Sequence, residues 1–314
     1  MIVAASLVAY ATVVALLGQF ALVRLTRSGS APRLGILAWC VAAGSAVTCW
    51  AFGAMAIADP DPLHGLAHFI TAGVTAVHEG TGVHNVTAVR GSRGFRFAAV
   101  AVAVAILYRA GFCLAWDAWT ARRRRLRHAQ ALSLVGRPLA RRDALVIEHG
   151  APLVYCIPGR SRTIVVTRGA LRTLSAAQLD AVLEHERAHL AARHHLVLTS
   201  IRALARAFPG VPVLARASAE VSRLVEMSAD DTAARRHGRA AVAGALRSLS
   251  FAPAPTETVA AASTSAEERI KRLCSPAPPP SGASGPLIAA VAVLATGPLA
   301  SVVVPILVAA SSAG

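Results

Sequence analysis

The sequence predicts an α-helical membrane protein of about four transmembrane helices that carries one mainly helical α+β domain on the cytoplasmic side. Three observations point there. The chain is 55% hydrophobic with a mean hydropathy of +0.54, more apolar than a soluble core requires. Four apolar runs are long enough to cross about 30 Å of hydrocarbon. A single polar stretch, about residues 121–285, is long enough to fold by itself.

The first run, about 2–22, lacks a basic leader and a small-residue cleavage site before Arg24, so it reads as a retained anchor. The second, 34–58, contains Trp39 and Trp50 and stops at Asp59-Pro60-Asp61-Pro62. An outer loop, 59–96, follows. The third run, 97–116, is interrupted by Arg109 and ends at Arg122–Arg125 with Arg127. An intramembrane arginine faces a bundle interior or snorkels to the interface. The fourth lies within 286–314, and its Pro298 and Pro305 are tolerable where neighbouring helices satisfy the freed backbone.

Basic residues in short loops set orientation. Arg24, Arg27 and Arg33 separate the first two runs, and five arginines follow the third, so both loops are expected in the cytoplasm and the N-terminus outside. Arg90, Arg93 and Arg96 oppose this assignment but are fewer. Topology therefore accounts for much of the +16 net charge. The arginines flank apolar runs and do not interleave with aromatics, which make up only 5% of the chain, so no nucleic-acid partner is expected. The five cysteines, Cys40, Cys49, Cys113, Cys156 and Cys274, show no C-x-x-C spacing and imply neither a disulfide framework nor a cysteine zinc site.

Within the polar stretch, Leu153–Ile157 and Thr163–Thr167 read as two short strands around Pro158-Gly159. Ser175-Ala176-Ala177-Gln178 is a capping-box pattern opening a helix with apolar Leu179, Val182, Leu183, Ala188 and Leu190. That helix holds His185-Glu186-Arg187-Ala188-His189. Histidines at i and i+4 project from one helical face, where two imidazoles can grip one metal, and the intervening Glu186 is placed to take a proton from metal-activated water. A third ligand is required. Glu226 and Asp230 stand one turn apart on a second helical pattern ending near Gly238. One carboxylate there can complete a His₂Glu set, and an acid one turn away can fix the tautomer of a ligating imidazole. Ser275–Gly285, rich in proline, serine and glycine, is a connector back to the membrane.

Leu171–Leu190 followed by Glu226-x-x-Ala229-Asp230 resembles the protease module of the BlaR/MecR β-lactam sensors. It is also similar to the HtpX and CAAX-processing membrane peptidases, sister gluzincins. Ser265–Leu273 resembles the Arg-Ile element that closes those domains. The resemblance implies a zincin-like domain that hydrolyses peptide bonds with one Zn²⁺ per chain. It implies His185, His189 and Glu226 as zinc ligands, Glu186 as the catalytic base, and Asp230 orienting His189 or His185 from behind. By fold analogy the strand Thr163–Thr167 would offer its edge to an extended peptide. The partners expected are a peptide or protein substrate, a cytoplasmic transcriptional repressor being one candidate, and the bilayer. The sensors carry a large extracytoplasmic ligand domain after the last span, which is not seen before residue 314, so direct β-lactam sensing is not expected. A quality-control protease, or a non-catalytic scaffold or transporter, is the competing reading.

Other histidines carry weaker expectations. His194 and His195 are read as continuing the motif helix, off the ligand face and at the surface. His237 is a candidate to stabilise a tetrahedral oxyanion, against the plainer reading of a basic helix C-terminus. His64, His68, His78 and His84, with Glu79, concentrate in the outer loop without a metal-binding template.

Overall fold

The structure, a computed structural model, describes residues 2–58, 90–140, 142–159, 163–250, 259–276 and 284–311. The outer-loop histidines and residues 277–283 of the connector lie outside these. The chain begins with α1 (Ile2–Val13), a π-helical turn (Val14–Gly18) and α2 (Gln19–Thr26), which together form the first apolar rod. α3 (Pro32–Ala58) is the second. α4 (Arg90–Val135) is the third, and α11 (Ser284–Ser311) supplies the fourth. Each of the four contains a segment long and apolar enough to cross a membrane.

α4 does not stop at Trp116. It runs through the boundary drawn at 120/121 and reaches Val135, 46 residues in all, or about 69 Å at 1.5 Å per residue. Its arginines, alanines and leucines are good helix formers, and no glycine or proline intervenes between Gly111 and Gly136. The basic cluster therefore lies on a continuous helix projecting from the apolar layer into the polar domain.

The polar region begins with β1 (Arg137–Pro138), β2 (Leu145–Ile147), β3 (Val154–Ile157) and β4 (Thr163–Thr167), which form one sheet in the order β1-β2-β4-β3. β4 runs parallel to β2 and antiparallel to β3, with Tyr155 opposite Val165. The expected edge is thus corrected. Thr163–Thr167 is interior, its three apolar residues fully enclosed, and the edge belongs to Val154–Ile157. Apolar enclosure on both faces suits a central strand, whereas the half-buried pattern of β3 suits an edge.

Among the described residues seven helices follow β4 in chain order, the last of them α11. They begin with α5 (Arg168–Thr173), α6 (Ala176–Ala191) and α7 (His194–Ala207). α8 (Pro212–His237), α9 (Arg239–Ser250) and α10 (Val259–Cys274) complete the domain. The capping box that opens α6 forms as expected: Gln178 N–H donates to Ser175 Oγ at 3.3 Å, and Ser175 N–H donates to Gln178 Oε1 at 2.9 Å. α6 ends at Ala191 because Arg193 takes a left-handed conformation (φ 51°) that no glycine or asparagine announces. His194 and His195 therefore open a new helix instead of extending the motif helix.

The polar domain is not hung on a tether. Val213, Leu214, Val221, Leu224 and Val225 of α8 are buried in one core with Trp39 and the alanine face of α3. Small residues on α3 let the two backbones approach closely. Arg109, the one cation inside the third apolar run, donates to the Ala207 carbonyl at the C-terminus of α7. Arg223 and Arg272 reach the carbonyls of Thr26 and Gly29, each at 2.8 Å. The loop between the first two apolar helices thus lies on the domain's side.

Candidate metal centre

α6 crosses α8 so that the two motif faces meet, and the site is assembled from them and from α10. His185 Nε2 and His189 Nε2 lie 3.0 Å apart. Glu226 places Oε2 at 3.5 Å from the first and Oε1 at 3.5 Å from the second. These three residues can each offer a donor atom to one ion. Tetrahedral zinc with ligand bonds near 2.0–2.1 Å separates its donors by about 3.3 Å, so the donor triangle fits. Charge fits as well. Glu186, Glu226, Asp230 and Arg269 line one pocket of about 180 Å³ with His185, and three carboxylates against one guanidinium leave two negative charges for a divalent cation to offset.

The residues behind the three donor side chains fix their orientation. His185 Nδ1–H donates to Asp230 Oδ1 at 3.0 Å, which leaves Nε2 facing the donor triangle. Asp230 is 0% exposed and is gripped by the Arg269 guanidinium at 2.6 and 2.7 Å. Arg269 also reaches Glu226 Oε2 at 3.0 Å. On the other side His189 Nδ1 meets His194 Nδ1 at 3.0 Å. The expectation of a surface His194 is thus corrected: it is 5% exposed, turned inward because α7 starts afresh at that residue.

Protonation follows from this packing. Burial works against a charged His185, but hydrogen bonds to Asp230 and Glu226 outweigh it and raise its pKa to about 9 in the absence of a metal. Burial and the neighbouring His185 charge lower His189 to about 4. Burial, offset in part by Glu226, also brings His194 to about 4, so it stays neutral and can accept from His189 Nδ1–H. For Glu226, burial is outweighed by the His185 hydrogen bond and Arg269, which bring it to about 2. Burial pushes the Glu186 carboxyl above its ordinary range, while His185 and a hydrogen bond with the Cys156 thiol of β3 oppose that shift. A carboxylate poised upward in this way is suited to accept and return a proton.

Of the residues singled out in the sequence, His185, Glu186, His189, Glu226 and Asp230 come together. His237 does not join them. It is the exposed last residue of α8, outside the pocket lining. Arg269 and His194 were missed as members of the site. Only the Arg-Ile likeness pointed to the first, and no local signal marks the second.

A helix-borne His-Glu-x-x-His, completed by a glutamate from a second helix with its acid one turn on, defines a metallopeptidase. The model of Peptidase family M48 matches residues 118–301, more than half of the chain, and the protein belongs to that family. Members of the family are zinc metallopeptidases. The match does not extend to the narrower likeness to the BlaR/MecR sensors. Neither the curated proteins nor the solved structures contain a match to the chain.

Proposed function

We propose that the protein is a membrane-bound, zinc-dependent endopeptidase whose catalytic domain faces the cytoplasm. The observation that carries this reading is the donor triangle of His185, His189 and Glu226 with Glu186 in the same pocket. When bound, zinc supplies a Lewis acid and lowers the pKa of a bound water to about 7. His185 and His189 would hold it through Nε2, their other nitrogens fixed by Asp230 and His194. Glu226 completes the set. Glu186 takes the proton of the attacking water and returns it to the leaving amine. Arg269 holds Asp230 and Glu226 in their charged forms. An extended substrate pairs with the β3 edge, main chain to main chain, and so presents a carbonyl beside Glu186.

The first three apolar helices pack against the domain, which favours a substrate met at the inner membrane surface, and a cytoplasmic repressor cleaved in signalling is one such protein. The test is detergent-purified protein assayed for zinc and for cleavage of itself and of casein. Wild type and Glu186→Gln are expected to carry one zinc per chain, with only the wild type cleaving. Equal cleavage by the two zinc-loaded proteins overturns the proposal.

A further inference from the structure

A second and larger cavity, about 580 Å³, opens between the cytoplasmic extension of α4, the end of β3 and the start of α7. Its volume lies within the range of ligand clefts. Arg122, Arg125 and His195 line it together with the apolar Leu126 and Ile157. The cavity and the metal pocket are successive along one strand. Val154 lines the metal pocket and Ile157 the arginine cavity, three residues or about 10 Å apart at the strand rise. A peptide extended along the β3 edge with its reacting carbonyl at the metal centre carries a residue three or four positions away into this cavity.

Among the described residues the cavity's charge is uncompensated. Asp117, the one acid on α4, is taken by Arg206 at 2.7 Å. Among the described residues no carboxylate lies within ion-pair distance of Arg122 or Arg125, although neighbouring Arg123 has found a partner in the Trp119 ring at 4.0 Å. His195 Nδ1 is buried without a hydrogen-bond partner. The charges of Arg125 and Arg193, adding to burial, lower its pKa. A buried polar atom beside two guanidiniums, all three without a partner among the described residues, marks a place for an anionic acceptor. If Phe97–Trp116 crosses the bilayer, Arg125 stands nine residues beyond it, about 13 Å along the helix. Arg122 stands six residues beyond it, about 9 Å; both lie past a headgroup layer of about 5–8 Å, which favours an anion carried by a protein substrate over a lipid headgroup.

Resting on the peptidase reading above, we propose that Arg122, Arg125 and His195 form a specificity pocket for an acidic side chain, so that the enzyme selects peptides with Asp or Glu three or four residues from the scissile bond. The experiment uses full-length protein in detergent and internally quenched peptides sharing one core, with Glu or Lys placed singly at each position on both sides of the bond. The Glu/Lys ratio of kcat/KM is compared in wild type and in Arg122→Glu/Arg125→Glu, with zinc content checking the fold. A ratio of about tenfold or more at one such position, carried mainly by KM and reduced to one or below by the double variant, is the expected result. Absence of any acidic preference, or a preference that survives the double reversal, overturns this inference and leaves the peptidase reading standing. So does loss of co-purifying anionic phospholipid in the double variant with peptide preference intact. If the wild type cleaves no peptide, the peptidase reading fails separately. Anisotropy of a labelled acidic peptide on Glu186→Gln then decides the pocket: binding abolished by the arginine reversal upholds it, and no binding overturns it.

Discussion

At the scale of single residues, the five side chains of the two motifs were legible because helical spacing alone puts His185 beside His189 and Glu226 beside Asp230. Which imidazole Asp230 serves was not legible, since it depends on how α6 crosses α8; the contact is with His185. His194 was hidden for a different reason. Its inward turn requires Arg193 to leave the helical region, and an arginine carries no signal for that. The consequence is testable. His194 accepts the Nδ1–H of His189 and so fixes that ring, and partners of this kind are worth about 10–100-fold in metal affinity. His194→Ala is expected to weaken zinc binding by that factor in chelator competition, with His194→Asn restoring much of it. Unchanged zinc affinity in the alanine variant would remove His194 from the site.

At the scale of elements, the capping box, the motif helix and the two strands were readable from short patterns, but strand order was not. Sequence places Thr163–Thr167 after Val154–Ile157 and says nothing of β2, whose pairing with β4 makes β4 interior. The start of α6 matters most, because it sets the phase of both histidines. Ser175→Ala removes the acceptor for Gln178 N–H and is expected to cost about 1 kcal/mol, read as a lower thermal midpoint with zinc content kept. Asp180, in the first turns of the same helix, donates nothing and accepts from Arg142 Nε at 2.7 Å. That hydrogen bond is the largest cause lowering its pKa below 3.8. The folded state therefore binds this proton less readily than the unfolded chain, and the pair's contribution is present above roughly pH 4 and fades as pH falls through the folded value. Both side chains are partly exposed, so the effect is small. Asp180→Asn should flatten the acid side of the midpoint-versus-pH curve below roughly pH 4 and leave the neutral side parallel to wild type.

At the scale of the whole molecule, the four apolar helices were visible in hydropathy, yet their relation to the catalytic domain was not. The alanine-rich composition of α3 reads as plain membrane filler, whereas it is the surface on which α8, bearing Glu226 and Asp230, is packed. This coupling ties topology to chemistry, because whichever side holds the loop after α2 also holds the metal centre. Arg223 and Arg272 bind that loop's carbonyls, and the arginine bias predicts a cytoplasmic loop. Cys274, at the end of α10, reports the side directly: it is exposed, whereas the other four cysteines are buried or partly buried. A membrane-impermeant maleimide is expected to leave Cys274 unlabelled in intact cells and to label it in inside-out vesicles, with Cys274→Ser abolishing the signal. Labelling from outside would reverse the assigned topology and exclude cytoplasmic proteins as substrates, while leaving the geometry of the metal centre untouched.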